Sequence, residues 1–181
     1  MPKMKRLEWF GVFLFLISIL GCAIWPDMTK YTGLLSAAFV LLGWLIVFRN
    51  AQYTASRSET KGFIDDLMKS ISDIESSAVN FWLASRKERQ EPKTFSVLIN
   101  GKFQIVDEKI NLIKKRKVDI GHKELVDLLG CLQEKVTLDC ESADAIDSIV
   151  RVQRANEVMA EAVKIHTHLY TKFIDSYPVN V

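Results

Sequence analysis

Two apolar runs open the chain and decide the predicted fold: LEWFGVFLFLISILGCAIW at Leu7–Trp25 and YTGLLSAAFVLLGWLIVF at Tyr31–Phe48. They are 19 and 18 residues long, and with the five residues between them they hold three charges, Glu8, Asp27 and Lys30. About 20 apolar residues in a helix cross a hydrocarbon core roughly 30 Å thick. A chain in lipid must satisfy its own backbone hydrogen bonds, which a helix does. The runs therefore predict two membrane-spanning helices.

The link between the runs, Pro26–Lys30, leaves room only for a sharp reversal, so the predicted helices are antiparallel neighbours. Basic residues collect on the cytoplasmic side of membrane proteins. They precede the first run and follow the second, at Lys3, Lys5, Arg6, Arg49, Arg57 and Lys61. The pattern predicts a multi-pass protein of the inner (plasma) membrane with both termini in the cytoplasm. A cleaved signal peptide is disfavoured because the first run is long and a second run follows it.

The predicted spans carry small and aromatic residues but no ionisable residue in their interior, which argues against a pump or a coupled transporter. Small or weakly polar residues recur four apart and predict close helix packing: Ser18, Cys22, Gly33 and Ala37. That packing lies either within the hairpin or between protomers of an oligomer that surrounds a pore. Aromatic residues stand where interfacial anchors belong: Trp9, Trp25, Tyr31 and Phe48.

The rest of the chain changes to a charged, amphipathic composition. From Ala51 onward it carries 19 basic and 20 acidic residues, and the whole chain has a formal net charge of +2. This balance gives no reason to expect a general nucleic-acid binder, which would be strongly basic. The composition predicts a basic N-terminus at 1–6, a transmembrane hairpin at 7–49, with spans at 7–25 and 31–48, and a cytoplasmic helical domain at 50–181.

Helical spacing dominates this third region and predicts an all-α fold, a helical bundle behind the hairpin. A heptad seam runs through one segment: Ile64, Leu67, Ile71, Ile74, Ala78 and Phe81. It packs inside its own domain or forms a coiled-coil stalk between copies. Residues 95–106 fit a helix or a hairpin turning at Asn100-Gly101. Further helices are predicted at about 122–136 and 142–176.

A basic cluster lies on the C-terminal side of residues 95–106: Lys114, Lys115, Arg116 and Lys117. Basic residues at a helix C-terminus complement the helix dipole. The cluster is therefore a solvated helix end, or it is a patch that contacts a protein partner, anionic headgroups or nucleic acid.

The search for catalytic chemistry is negative. The sequence has no phosphate-binding loop, nucleophile elbow, zinc-protease motif or paired CxxC. Cys131 and Cys140 are expected to stay reduced in the cytoplasm. His166 and His168 diverge by about 200° on a helix and cannot share a metal. We predict no enzyme, catalytic residue, metal or cofactor.

The layout of a short hairpin, no membrane charges and a compact helical domain resembles the small two-transmembrane effectors of bacterial anti-phage defence. Retrons and type III CRISPR loci carry such effectors. The resemblance implies a homo-oligomeric toxin that disrupts the inner membrane when its cytoplasmic domain is triggered or released by a partner. That partner would be a cytoplasmic protein or a ribonucleoprotein, and the trigger a nucleic acid or a nucleotide second messenger. The alternative is an anchor or scaffold subunit that tethers a soluble complex without permeabilising the membrane.

Overall fold

The computed structural model describes Phe13, Ile17 and residues 32–116 and 118–177. These residues form helices and short connections, without a strand among them. The order is α1 (Thr32–Leu83), α2 (Pro92–Lys115), α3 (His122–Thr137), a 3₁₀ turn (Cys140–Ser142) and α4 (Ser148–Ser176). The predicted helical bundle is confirmed.

The predicted transmembrane hairpin is wrong. None of the described helices is long and apolar enough to cross a membrane. The second predicted span, 31–48, is described from Thr32 onward, where it begins a helix of 52 residues and is not a separate span. The apolar sequence ends at Phe48, and the same helix continues through Arg49 and Arg57 into charged sequence. The first predicted span, 7–25, lies outside the described residues except for Phe13 and Ile17.

The chain divides into two compact units, which we call unit one (Met1–Ser56) and unit two (Arg57–Val181). Helix α1 contributes its first part to unit one and its second part to unit two.

The core of unit two is built from one apolar face of each helix. All six residues of the heptad seam in α1 are buried within the unit, which confirms bundle packing rather than an intermolecular stalk. The ring of Phe81 stacks on that of Phe95, with centroids 3.9 Å apart and planes at 9°. Trp82 packs edge-on against Phe81 at 5.3 Å. This aromatic group closes the end of the core where α1 stops and α2 begins.

Residues 95–106 are helical, so the hairpin alternative is wrong. Pro92 occupies the first turn of α2, where its missing N–H costs no hydrogen bond. Helical spacing then buries one face of the helix: Phe95, Ile99, Phe103, Val106, Ile110 and Ile113. Burial of this face outweighs the turn preference of Asn100-Gly101.

The last helix begins later than its periodicity predicts. Residues after Thr137 form the 3₁₀ turn, and α4 starts at Ser148 rather than near Ser142. The carboxylate of Asp147 accepts a hydrogen bond from the N–H of Ile149 at 3.1 Å and caps the helix. This hydrogen bond lowers the pKa of Asp147 below the ordinary aspartate value.

Candidate interaction surfaces

The first part of α1 exposes apolar side chains on several sides of the helix. We call residues 40–48 the apolar segment; its large exposed side chains are Val40, Leu41, Leu42, Trp44, Leu45, Val47 and Phe48. Their exposed fractions run from 41% to 74%. Burying one such side chain stabilises a protein by about 1.5–3 kcal/mol relative to leaving it in water. Contiguous exposed apolar surface of this kind marks a protein or membrane contact site.

Few of the predicted packing and anchor residues fall within the described part. Ser18, Cys22, Trp9, Trp25 and Tyr31 lie outside it, so their roles stay predictions.

The predicted packing and anchor residues that are described lie in the first part of α1. A Cβ built at Gly33 meets nothing within 4 Å, and Ala37 is exposed. Their close packing against another helix therefore stays a prediction. Phe48 is exposed and ends the apolar segment, directly before Arg49.

The predicted basic cluster lies at the end of α2, and its role as a binding patch stays a prediction. The side chain of Arg116 is half exposed and bound to α1: its Nη1 atom donates to the carboxylate of Glu59 at 2.6 Å. The same group lies over the ring of Phe63, 4.5 Å from its centroid. Lys114 and Lys115 are exposed, and Lys117 is outside the described residues. Arg116 therefore fastens the end of α2 to α1.

Arg116 is one rung of a ladder of cations that we call the α1–α2 ladder. Lys102 donates to the hydroxyl of Ser77 at 2.7 Å and to the backbone carbonyl of Asp73 at 3.1 Å. Lys109 donates to Ser70 at 2.8 Å and pairs with the Asp66 carboxylate at 2.7 Å.

The rungs repeat every seven residues on both helices. The cations are Lys102, Lys109 and Arg116; Lys102 faces the backbone carbonyl of Asp73, and the other two face the carboxylates of Asp66 and Glu59. Seven residues are close to two helical turns, so each set follows one edge of its helix. The sequence carried this signal as a seven-residue spacing, but only the packing shows which residues face each other.

The turn before α3 is tied to the C-terminal half of α4. His168 Nε2 lies 2.9 Å from the carbonyl oxygen of Ile120, and Lys172 Nζ lies 3.6 Å from the Glu124 carboxylate. Gly121 has φ +61°, and a Cβ there would lie 2.8–2.9 Å from atoms of Lys172 and His168. These contacts fix the turn, and they place His168 in a structural role.

A buried arginine sits at the opposite end of unit two. The side chain of Arg89 is only 2% exposed and donates to the Asp144 carboxylate at 2.8 Å and to the Ala84 carbonyl at 3.0 Å. Its guanidinium also lies 5.8 Å from the centroid of the Phe81 ring. A buried cation is stable only when it is paired and hydrogen-bonded. The arrangement therefore joins the end of α1 to the loop before α4.

A shallow groove of about 340 Å³ opens between α1 and α4. Its lining is mixed: Met68, His166, Thr167, Tyr170 and Thr171. The Nε2 atom of His166 is buried there and has no hydrogen-bond partner among the described residues. His166 and His168 thus face different surroundings, as their spacing predicts.

The two described cysteines differ in environment. Cys131 is exposed, whereas Cys140 is buried in the 3₁₀ turn. Burial raises the pKa of the Cys140 thiol, and the nearby Glu141 carboxylate adds to the effect. A thiol with a raised pKa is a poor nucleophile, so Cys140 serves as a core residue.

The described part of the chain brings together no cluster of three His, Cys, Asp or Glu side chains that could hold a metal ion. Its strongest features are surfaces: the apolar segment of unit one and the outward faces of the helices in unit two. No family model matches the chain, and comparison with curated proteins and with solved structures finds no significant match to either.

Proposed function

We propose that the chain is a non-enzymatic membrane anchor. In this proposal the apolar segment contacts a membrane surface, and unit two binds a cytoplasmic protein partner. The observation that carries the proposal is the exposure of the apolar segment on several sides of α1. Trp44 and Val47 are among its most exposed side chains. A protein groove covers one side of a helix, whereas lipid acyl chains surround a helix segment that is sunk into a membrane surface.

The charge next to the apolar segment supports a lipid surface. Arg49 follows Phe48 directly and is exposed. A basic residue near an anionic membrane contributes about 1 kcal/mol to binding. Arg49 therefore favours a membrane that contains acidic headgroups.

Disruption of the membrane is the further step that the effector hypothesis adds to anchoring. The two hypotheses share the apolar segment and differ in whether a bilayer stays sealed once the chain is bound. One set of vesicle experiments distinguishes the anchor hypothesis from the effector hypothesis.

The test uses the full chain and vesicles of phosphatidylcholine and phosphatidylglycerol that contain a photoactivatable acyl chain. After illumination, cross-linked peptides are mapped by mass spectrometry. We expect cross-links on residues 40–48. The matched control is a set of three exposed apolar residues of α2, Val97, Leu98 and Ile105, on which we expect none. Equal labelling of both segments, or no labelling of residues 40–48, would overturn the proposal.

A second arm loads the same vesicles with a self-quenching dye. The anchor hypothesis predicts that the dye stays inside when the chain binds. Release of dye on binding would instead support the effector hypothesis. Sodium chloride at 1 M should weaken binding if Arg49 contributes, because salt screens the attraction to acidic headgroups.

A further inference from the structure

Helix α4 has an exposed side without a single charged residue, which we call the α4 stripe. Eight exposed residues form it: Ile149, Gln153, Asn156, Ala160, Val163, Thr167, Tyr170 and Ile174. Ile149 is 75% exposed and Val163 is 60% exposed. The stripe runs almost the full length of the helix, about 38 Å at 1.5 Å per residue.

The charged residues of α4 lie on its other sides, and several are paired with the neighbouring elements of unit two. Arg154 pairs with Asp139 at 3.0 Å, and Glu157 with Lys135 at 3.2 Å. At 100° per residue the stripe points about 150° away from the buried seam of the same helix. That seam consists of Ala155, Val158, Ala162, Ile165 and Leu169. The stripe is therefore not an edge of the core but a separate outward side.

The exposed apolar row of α2 has a different character. Leu98, Ile105 and Leu112 are seven apart, but Lys109 and Arg116 fall on the same side of that helix. Charges within a row make its contact with an identical row unfavourable. Such charges are absent from the α4 stripe.

Residues of the α4 stripe alternate steps of four and three, which is the spacing of a coiled-coil seam. We infer that α4 pairs antiparallel with α4 of a second copy of this chain. With the two-fold axis between residues 161 and 162, the stripe meets itself in like-with-like layers. The layers are Ile149 with Ile174, Gln153 with Tyr170, Asn156 with Thr167, and Ala160 with Val163. Small residues lie at the centre, where two helices approach closely.

Charges beside the α4 stripe select the antiparallel direction. Glu157 and Lys164 border it on one side, where Glu157 pairs with Lys135 and the exposed Lys164 pairs with Glu161 of the same chain. In the antiparallel pair, Lys164 of each copy lies within two residues of the level of Glu157 of the other, so its ammonium group can extend the Lys135–Glu157 pair across the interface. In a parallel pair this border places each residue at the level of its identical counterpart, so this contact does not form.

The size of the α4 stripe sets the strength of the dimer. Eight residues on each side are fewer than the 20–30 of a standard stable interface. Small interfaces are weak, so we expect a dissociation constant on the order of micromolar. Association should then vary with concentration. The inference rests on unit two alone and does not depend on the lipid proposal.

The test needs no ligand: the full chain in a mild non-ionic detergent is analysed by sedimentation in the analytical ultracentrifuge over a range of concentrations. Val163→Glu puts carboxylates beside the two-fold axis and should weaken association at least tenfold. Val97→Glu changes an equally apolar, 73% exposed residue of α2 and should leave association unchanged. A monomeric wild type, or a Val163→Glu variant that associates like wild type, would overturn the inference.

Spin labels determine the direction of the helices, in a chain whose Cys22 and Cys131 are replaced by serine. The antiparallel pair predicts a distance of about 38 Å between labels at Ile149→Cys, because residues 149 and 174 are opposed. Labels at Ala160→Cys should be much closer to each other. Equally short distances at 149 and 160, which a parallel pair would give, would contradict the antiparallel arrangement.

Discussion

At Gly121 the backbone has φ +61°, and the space that a side chain would fill is taken by Lys172 and His168. Left-handed backbone costs an L-residue about 1–2 kcal/mol. A methyl group there would also displace His168 from the Ile120 carbonyl. A hydrogen bond of this kind contributes about 1 kcal/mol. The turn before α3 therefore depends on this residue being glycine.

We expect Gly121→Ala to lower the free energy of unfolding by roughly 1–3 kcal/mol, measured by urea denaturation. Gly101→Ala is the matched control, since Gly101 lies inside α2 and a Cβ there meets nothing within 4 Å. That substitution should raise stability by about 0.5–1 kcal/mol, because alanine favours a helix. Equal stability of Gly121→Ala and wild type would show that the turn does not require this conformation.

At the scale of the element, the α1–α2 ladder fixes how two antiparallel helices line up. An apolar face alone tolerates a shift of one heptad, because every repeat presents similar side chains. A shift by seven residues would separate each cation of the ladder from its own partners in α1. The ladder therefore adds register to an interface whose stability comes from buried apolar surface.

We expect Lys109→Met to lower the free energy of unfolding by up to about 1 kcal/mol, the upper range for a partly exposed ion pair. A methionine at this position can bind neither Asp66 nor Ser70, which are the partners of Lys109 in α1. Lys93→Met is the control, because Lys93 is an exposed lysine of the same helix for which the described residues show no ion pair. The difference should shrink in 1 M salt. Identical losses for the two variants would mean that the ladder contributes nothing measurable.

Periodicity predicted the elements of unit two well but failed at their ends and at unit one. The seam from Ile64 to Phe81 was readable because burial follows the helical repeat along the chain. The start of α4 was not readable from the sequence, because several residues upstream of Asp147 could also cap a helix. The partners of Arg89 and Arg116 are more than 50 residues away, and spacing within a helix carries no information about them.

The membrane hairpin failed for a related reason. The apolar composition of residues 31–48 predicts a complete span, but residues 32–48 begin a helix that runs on through charged sequence. Composition identified the apolar segment as a stretch of the chain that is rich in large apolar side chains. It did not identify where the helix that contains it ends.

At the scale of the whole molecule, the burial found among the described residues is confined to unit two. Every side chain that the described structure buries lies between Thr60 and Leu169. The contacts that close this unit also lie within it. Thr60 shares a hydrogen bond with Tyr177 at 3.0 Å, and Glu59 holds Arg116. Unit two therefore contains its own complete core.

We expect residues 57–181 to fold without unit one and to unfold cooperatively, with a midpoint within about 3 °C of the same transition in the full chain. Circular dichroism during heating measures the cooperativity and the midpoint of the transition.

A fragment of residues 72–181 is the control, since it also lacks the buried Ile64, Leu67 and Ile71. Removing a single buried Leu or Ile side chain costs about 2–5 kcal/mol. Three such losses approach or exceed the total stability of a typical domain, about 5–15 kcal/mol. The shorter fragment should therefore lack a cooperative transition, and a gradual loss of helix in both fragments would show that unit one is needed for the fold.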